Sequence, residues 1–429
     1  MVERLDARDR SPEETVARLR RPGGFLSAET RDAARLIVED VRDRGDEALL
    51  EYTERFDGVR PDPVRVPEEE VANARRALSA ELEESFLAAI ENVRAFHERE
   101  MDRSWSFERG GATVGQRVRP LRRAGLYVPG GHGAYPSTLM MSAVPARVAG
   151  VREICVCVPP GADGHVSWAV LAVAGLLDLG EVYAVGGAQA IAAMAYGTET
   201  IQPVDRVVGP GNDYVTAAKL EVFGVVGIDA PQGPSEIVVI ADSGASPEGV
   251  ARDLLAQAEH LSGASAILIS PSAGLLEDVM PLLAGEPAEL VTLVRVHDLE
   301  QAVEISNLYA PEHAHVIAKD PEAILRDLDA VGMVAVGDES PVALGDYGAG
   351  PSHALPTGGA ATWASPLGTH DFTARTNYIH FTADALRAFG PHVERLARLE
   401  GFENHAESVE VRLRREELAP TNRPPRVDR

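Results

Sequence analysis

The chain has 429 residues and a formal net charge of −25, from 41 Lys or Arg against 66 Asp or Glu. Such an excess of acid argues against a general nucleic-acid binder, which needs basic stripes to displace counterions, and against docking on anionic lipid. The length is too great for one simple core, so two or more domains are expected. No apolar run reaches the roughly 18 residues that span a bilayer, and the opening MVERLDARDRSPEETVARLRR lacks the apolar core of a signal peptide. A cytoplasmic location follows as the expectation. Only Lys219 and Lys319 are lysines; every other basic residue is Arg.

Residues 1–108 read as helical. Ala33, Leu36, Ile37, Val41, Leu49, Tyr52 and Phe56 recur at mostly helical spacing, Gly58 ends that stretch, and a second one runs from Glu68 to about His97. From Gly110 the texture changes. GLYVPGG, EICVCVPPG, EVYAVGG and DRVVGPGN each read as a strand and turn leading into a helix, the pattern of a parallel sheet with covering helices. Cys155 and Cys157, the only cysteines, sit two apart in the second of these and are expected on one buried face. EIVVIAD opens a second series, in which Ser246 caps a helix with Pro247 at its first position. SAILISP, RVHDLEQAVEIS, HAHVIAK and GMVAVGD continue it. From Gly345 to Pro366 the chain is a long loop rich in Gly, Pro and Ser, more typical of sites than of linkers. The tail reads as a helix, PHVERLARLEG, followed by strand-like alternation in SVEVRLRRE.

Three Gly-rich turns each follow a strand and open a helix: Pro129-Gly130-Gly131, Gly186-Gly187 and Gly209-Pro210-Gly211-Asn212. None is the dinucleotide G-x-G-x-x-G fingerprint, but three at corresponding ends of adjacent parallel strands favour a ligand edge that accepts an anion. Of twelve histidines, His97, His165, His297, His380 and His392 read as bland, and His132 and His370 read either way. Four others stand out by company. Gln257 and His260 lie at i and i+3 of one helix and can face one atom. Glu312 and His313 are an adjacent acid and imidazole, suited to acid–base work near neutrality. Asp346 and His353 share the Gly/Pro loop, and Glu400 and His405 flank Gly401 in the tail. Taken alone, such pairs are more often ordinary surface positions than sites.

Together these segments resemble the histidinol dehydrogenase family over nearly the whole length. The resemblance is carried by DEALLEYTERFDG, GLYVPGGHGAYPSTLMMSAVPA, GGAQAIAAMAYGTE, VDRVVGPGNDYVTAAK, IDAPQGPSEIVVIAD, LLAQAEH, APEHAHV, GDYGAGPSHALPT and LEGFENHAESVEVR. It implies an α/β fold of two incomplete Rossmann-like parallel-sheet domains with helical N-terminal and C-terminal extensions. The implied divisions are an arm at 1–25, a discontinuous zinc and catalytic domain at 26–125 and 238–375, an NAD domain at 126–237, and a tail at 376–429 that reaches a partner subunit. The N-terminal helices would join the second α/β series.

The resemblance also implies roles. Gln257, His260 and Asp346 would hold one zinc ion per subunit, with His405 of the tail supplied across a homodimer. Glu312 and His313 would be the catalytic pair. Ser235, His353 and Glu400 would contact substrate along with the ligands, and Tyr127, Gln189 and Asn212 would contact NAD. The implied reaction is oxidation of L-histidinol through L-histidinal to L-histidine with two NAD, the last steps of histidine biosynthesis. A related zinc and NAD enzyme for another small polar alcohol, such as sulfopropanediol, is the alternative. Ser352, Ala314, His315 and Gln232 depart from the family's usual residues, whereas the ligand and catalytic positions are intact.

Overall fold

A computed structural model describes residues 2–20, 26–130, 133–260 and 263–414, so His132 lies outside the described residues. In chain order the strands are β1 (Glu3–Asp6), β2 (Trp105–Arg109), β3 (Ala112–Pro120), β4 (Arg123–Tyr127), β5 (Glu153–Val158), β6 (Val182–Ala184) and β7 (Arg206–Val208). They continue as β8 (Gly227–Ile228), β9 (Glu236–Ala241), β10 (Ser265–Ser270), β11 (Val291–Arg295), β12 (His313–Ile317), β13 (Met333–Val336) and β14 (Thr373–Phe381). The chain forms two units: Met1–Glu100 with Leu121–Phe372, and Met101–Pro120 with Thr373–Arg429.

The first unit holds two parallel sheets, one for each strand–helix series. The five-stranded sheet has the order β6-β5-β4-β7-β8 and the six-stranded sheet the order β1-β11-β10-β9-β12-β13. Their central strands are apolar without interruption because helices cover both faces. In β9, Ile237, Val239 and Ala241 join one core, while Val238 and Ile240 join the core on the opposite side. Cys155 and Cys157 likewise share one core with Tyr127. Burial pushes the Cys155 thiol up to about 12, which keeps it an inert packing group.

The expectation of helix throughout 1–108 needs correction at both ends. Residues 3–6 form a parallel edge strand on β11, and 105–109 form β2. The helices between them form as expected, with Ser27 and Ser79 capping Ala28–Arg44 and Ala80–His97. Their packing differs from the expectation that they join the second series. Ala28–Arg44 packs on Gly187–Tyr196 and Asp213–Val222, Glu68–Arg76 on Trp168–Leu176, and Ala80–His97 on Pro136–Val148, all helices of the first series. His97 is also not on a solvated face: it is fully buried, with Nδ1 2.6 Å from Glu100 Oε2.

The second unit is an antiparallel sheet, β14-β3-β2, followed by helices Ala383–Leu399 and Glu403–Leu413. The second helix corrects the strand reading of SVEVRLRRE. Val409 and Leu413, four apart, both approach Gly390 of the preceding helix, a contact that strand geometry would break. Among the described residues no helix is long and apolar enough to cross a membrane.

Candidate active site

The acid–imidazole pair stands at the amino end of the six-stranded sheet. His313 is the first residue of β12 and pairs in register with Ile237 of β9. The helix Pro247–Ala258 runs back along the sheet and ends at the same edge, delivering Gln257 and His260. The short helix Ala343–Tyr347 brings Asp346 there. This reverses the usual rule that ligands sit at the carboxyl ends of parallel strands.

Hydrogen bonds define the pair's geometry. Glu312 is buried, and its Oε2 accepts the Glu236 N–H at 2.9 Å and the Gln257 amide at 3.5 Å. His313 Nδ1 lies 3.3 Å from the Glu236 carbonyl and 3.4 Å from Glu312 Oε2, both acceptors, so that nitrogen carries the proton. His313 Nε2 is buried and 3.3 Å from Asp346 Oδ1, but it is not aligned for a hydrogen bond. Burial pulls the imidazole down in pKa; the neighbouring Glu312 and Asp346 carboxylates outweigh it and push His313 up to about 10. For Asp346, burial acts upward, but His313, His353 and His260 hold the carboxyl below its usual range.

The long loop closes over this centre. His353 donates from Nδ1 to the Asp346 carbonyl at 2.9 Å and faces Thr138 Oγ1 with Nε2 at 3.2 Å. Burial lowers its pKa, and both nitrogens are engaged by the neutral ring. Ser235 precedes β9 at the same edge, and its carbonyl accepts the Ser265 N–H. Sequence reasoning missed Glu236 and Thr138. Glu236 brackets the pair through its own backbone, and its carboxylate accepts the Gly358 N–H at 3.1 Å; the signal was its place in GPSE beside Ser235. Thr138 carried none. His315, the departure beside the pair, is satisfied on both nitrogens by Asp253 and the Gly337 carbonyl.

The five-stranded sheet presents its carboxyl ends to a cleft of about 1320 Å³ lined by Tyr127, Gly130, Gly187, Gln189 and Asn212. Tyr127 ends β4, and its hydroxyl accepts the Gly187 N–H at 3.1 Å. Gln189 is buried, yet among the described residues neither its amide oxygen nor its nitrogen has a partner. Asn212 Oδ1 caps the helix Asp213–Val222. Glu400 and His405 lie on the second unit, where both are exposed and the His405 ring is 5.3 Å from that of Phe402.

Among the described residues, no three His, Cys, Asp or Glu side chains come together closely enough to hold a metal. Gln257, His260 and Asp346 nevertheless share one edge, an oxygen and nitrogen set of the kind zinc accepts.

An acid–imidazole pair on one sheet edge and a dinucleotide-sized cleft on another define an α/β oxidoreductase. The histidinol dehydrogenase family model matches residues 24–413, and the chain belongs to that family. It is 46% identical to a histidinol dehydrogenase of Geobacillus kaustophilus, covering 93% of this chain and 97% of that one. It is 44% identical to one from Bacillus subtilis, covering 90% and 94%. The crystal structure of histidinol dehydrogenase from Elizabethkingia anophelis superposes with a TM-score of 0.89 at 33% identity, covering 96% of this chain and 98% of that one.

Proposed function

We propose that the protein oxidises L-histidinol through L-histidinal to L-histidine, with two NAD per product, at the end of histidine biosynthesis. The observation that carries this reading is the Glu312–His313 pair, oriented by the Glu236 backbone and facing Asp346. Substrate chemistry needs a base for the alcohol proton and a second group for water attack on the aldehyde, and the two side chains divide that work.

The Glu236 carbonyl fixes the His313 tautomer with its proton on Nδ1, so Nε2 receives the hydroxyl proton in the first oxidation. A cation held by Asp346 would offset part of the carboxylate charge that raises His313, favouring the neutral ring that the base role requires. In the second oxidation Glu312 takes a proton from the water that adds to the aldehyde, and His313 assists. The N–H of Glu236 and the Gln257 amide hold that carboxylate in place. His353, Ser235 and Glu400 would contact the polar ends of the substrate.

Gln257, His260 and Asp346 would hold zinc, with His405 of a second copy completing the set in a homodimer. Zinc, when bound there, would supply Lewis-acid chemistry that positions the substrate. Tyr127, Gln189 and Asn212 would hold NAD, which accepts hydride when bound; the orphaned Gln189 amide supports this fit, since a buried amide calls for partners. The division into residues 126–237 for the dinucleotide and 238–375 for zinc and chemistry, the reach of the tail, and the cytoplasmic location belong to the same proposal.

The test is stoichiometric. With L-histidinol and NAD, the protein is expected to release about two NADH per L-histidine, to lose activity with a chelator, and to regain it with zinc. Glu312→Gln should stall at the aldehyde. One NADH with accumulating aldehyde in the wild type would overturn the proposal.

A further inference from the structure

Of the two lysines in the chain, Lys319 is exposed and Lys219 is buried, with 1% of its surface accessible. Lys219 projects from the helix Asp213–Val222 and forms an ion pair with Asp229, which follows β8 and is also buried. Burying such a pair gives little stability by itself, because apolar residues of similar volume often serve as well or better. A local reason for keeping both charges lies in their remaining hydrogen bonds. Asp229 Oδ2 accepts the Gly209 N–H at 2.7 Å, and Lys219 Nζ donates to the Gly209 carbonyl at 3.0 Å. The pair therefore holds both backbone groups of one residue.

Gly209 is the residue where β7 leaves its ladder. The β7–β8 register ends at Val207 opposite Ile228, so the two side chains replace the strand bonds that would have followed. Gly209 has φ +122°, and a Cβ there would come within 2.1 Å of the Tyr127 carbonyl oxygen, so no other residue fits. Three residues on, Asn212 accepts the N–H groups of Tyr214 and Val215, both at 3.1 Å. The turn from Gly209 to Asn212 is thus pinned at its start by the ion pair and at its end by the helix cap. Its far end lines the cleft with Tyr127 and Gln189.

We infer that the buried Lys219–Asp229 pair is a positioning device that sets the Gly209–Asn212 turn against the dinucleotide and so tunes affinity for NAD without touching it. This rests on the reading of that cleft as the NAD site. Arg does not substitute for Lys219, because a planar guanidinium is bulkier than the compact ammonium this enclosed site accepts.

The experiment uses full-length Lys219→Met, Lys219→Arg and the double variant Lys219→Met/Asp229→Leu, which removes both charges and avoids leaving a carboxylate buried alone. NADH binding is followed by fluorescence, L-histidine binding by calorimetry, zinc content by metal analysis, and amide exchange in a peptide spanning 207–216. For the folded variants we expect NADH affinity to fall about tenfold, a loss typical of small misplacement of binding groups, with L-histidine affinity and zinc content unchanged. Faster exchange should be confined to the turn, and Lys219→Arg should not restore binding. Unchanged NADH affinity in the double variant, or an equal loss for NADH and L-histidine, would overturn the inference. Failure of the wild type to bind NADH would refute the NAD reading instead. The pair's hold on the turn would then be judged by exchange alone: acceleration at 207–216 upholds it and unchanged exchange rejects it.

Discussion

His313 illustrates chemistry created by neighbours on the adjacent strand and on a short helix. Its Nδ1 faces the Glu236 carbonyl and its Nε2 faces Asp346, partners that no local pattern announces. We expect His313→Ala to lower kcat by about 10²- to 10⁴-fold, the usual range for loss of an acid–base group, with NADH binding by fluorescence unchanged. Glu236 supplies a pH prediction. Burial, reinforced by Glu312, pushes its carboxyl up to about 7 from an ordinary 4.5. The folded state therefore binds the proton more tightly than the unfolded chain. The resulting stability is complete below about 4.5 and is lost as pH rises through about 7. A shift of this size corresponds to roughly 2–4 kcal/mol. Melting curves from pH 4.5 to 8 should show the wild type losing this contribution with rising pH, while Glu236→Gln shows a flatter profile. Parallel profiles would refute the assignment.

Helix termini carry the site at the scale of elements. Pro247–Ala258 begins at Ser246, whose hydroxyl accepts the Gly249 N–H at 3.3 Å, and near its end Gln257 donates to Glu312. Ser246→Ala should cost about 1 kcal/mol, seen as a drop of a few degrees at most in Tm. Most elements were legible in the sequence. Continuous apolar runs bounded by Gly and Pro identify the buried parallel strands, and Ser246-Pro247 identifies a helix start. Residues 3–6, 105–109 and 403–413 were not. Residues 3–6 become a strand because β11 offers an open edge, and 403–413 become a helix because Val409 and Leu413 pack on Gly390. Both outcomes depend on partners remote in sequence, which override short-range alternation.

For the whole molecule, a charge of −25 sets a problem for binding an anionic cofactor. Gly-rich turns and helix N-termini at the carboxyl edge of the five-stranded sheet provide local positive potential there, so the acidic surface need not be neutralised by basic residues. Subunit sharing is the prediction that belongs to this scale. Mixing inactive His405→Asn and Gln257→Ala subunits should regenerate one intact site per heterodimer, about a quarter of wild-type activity after random exchange. No recovery after confirmed exchange would mean that His405 serves its own subunit or none.

By itself the sequence determined the two α/β series, the buried cysteine strand, the glycine turns and a family resemblance spanning nearly the whole chain, because these depend on local periodicity, turn chemistry and ordered motifs. Only the tertiary structure decided that the acid–imidazole pair sits at the amino edge of its sheet, that the helices between residues 28 and 97 cover the first series, that Glu236 brackets the pair through its backbone, and that Lys219 closes on Gly209. Those facts depend on sheet order and on contacts between residues up to hundreds of positions apart, and strand register and burial place such residues together without leaving a local signature.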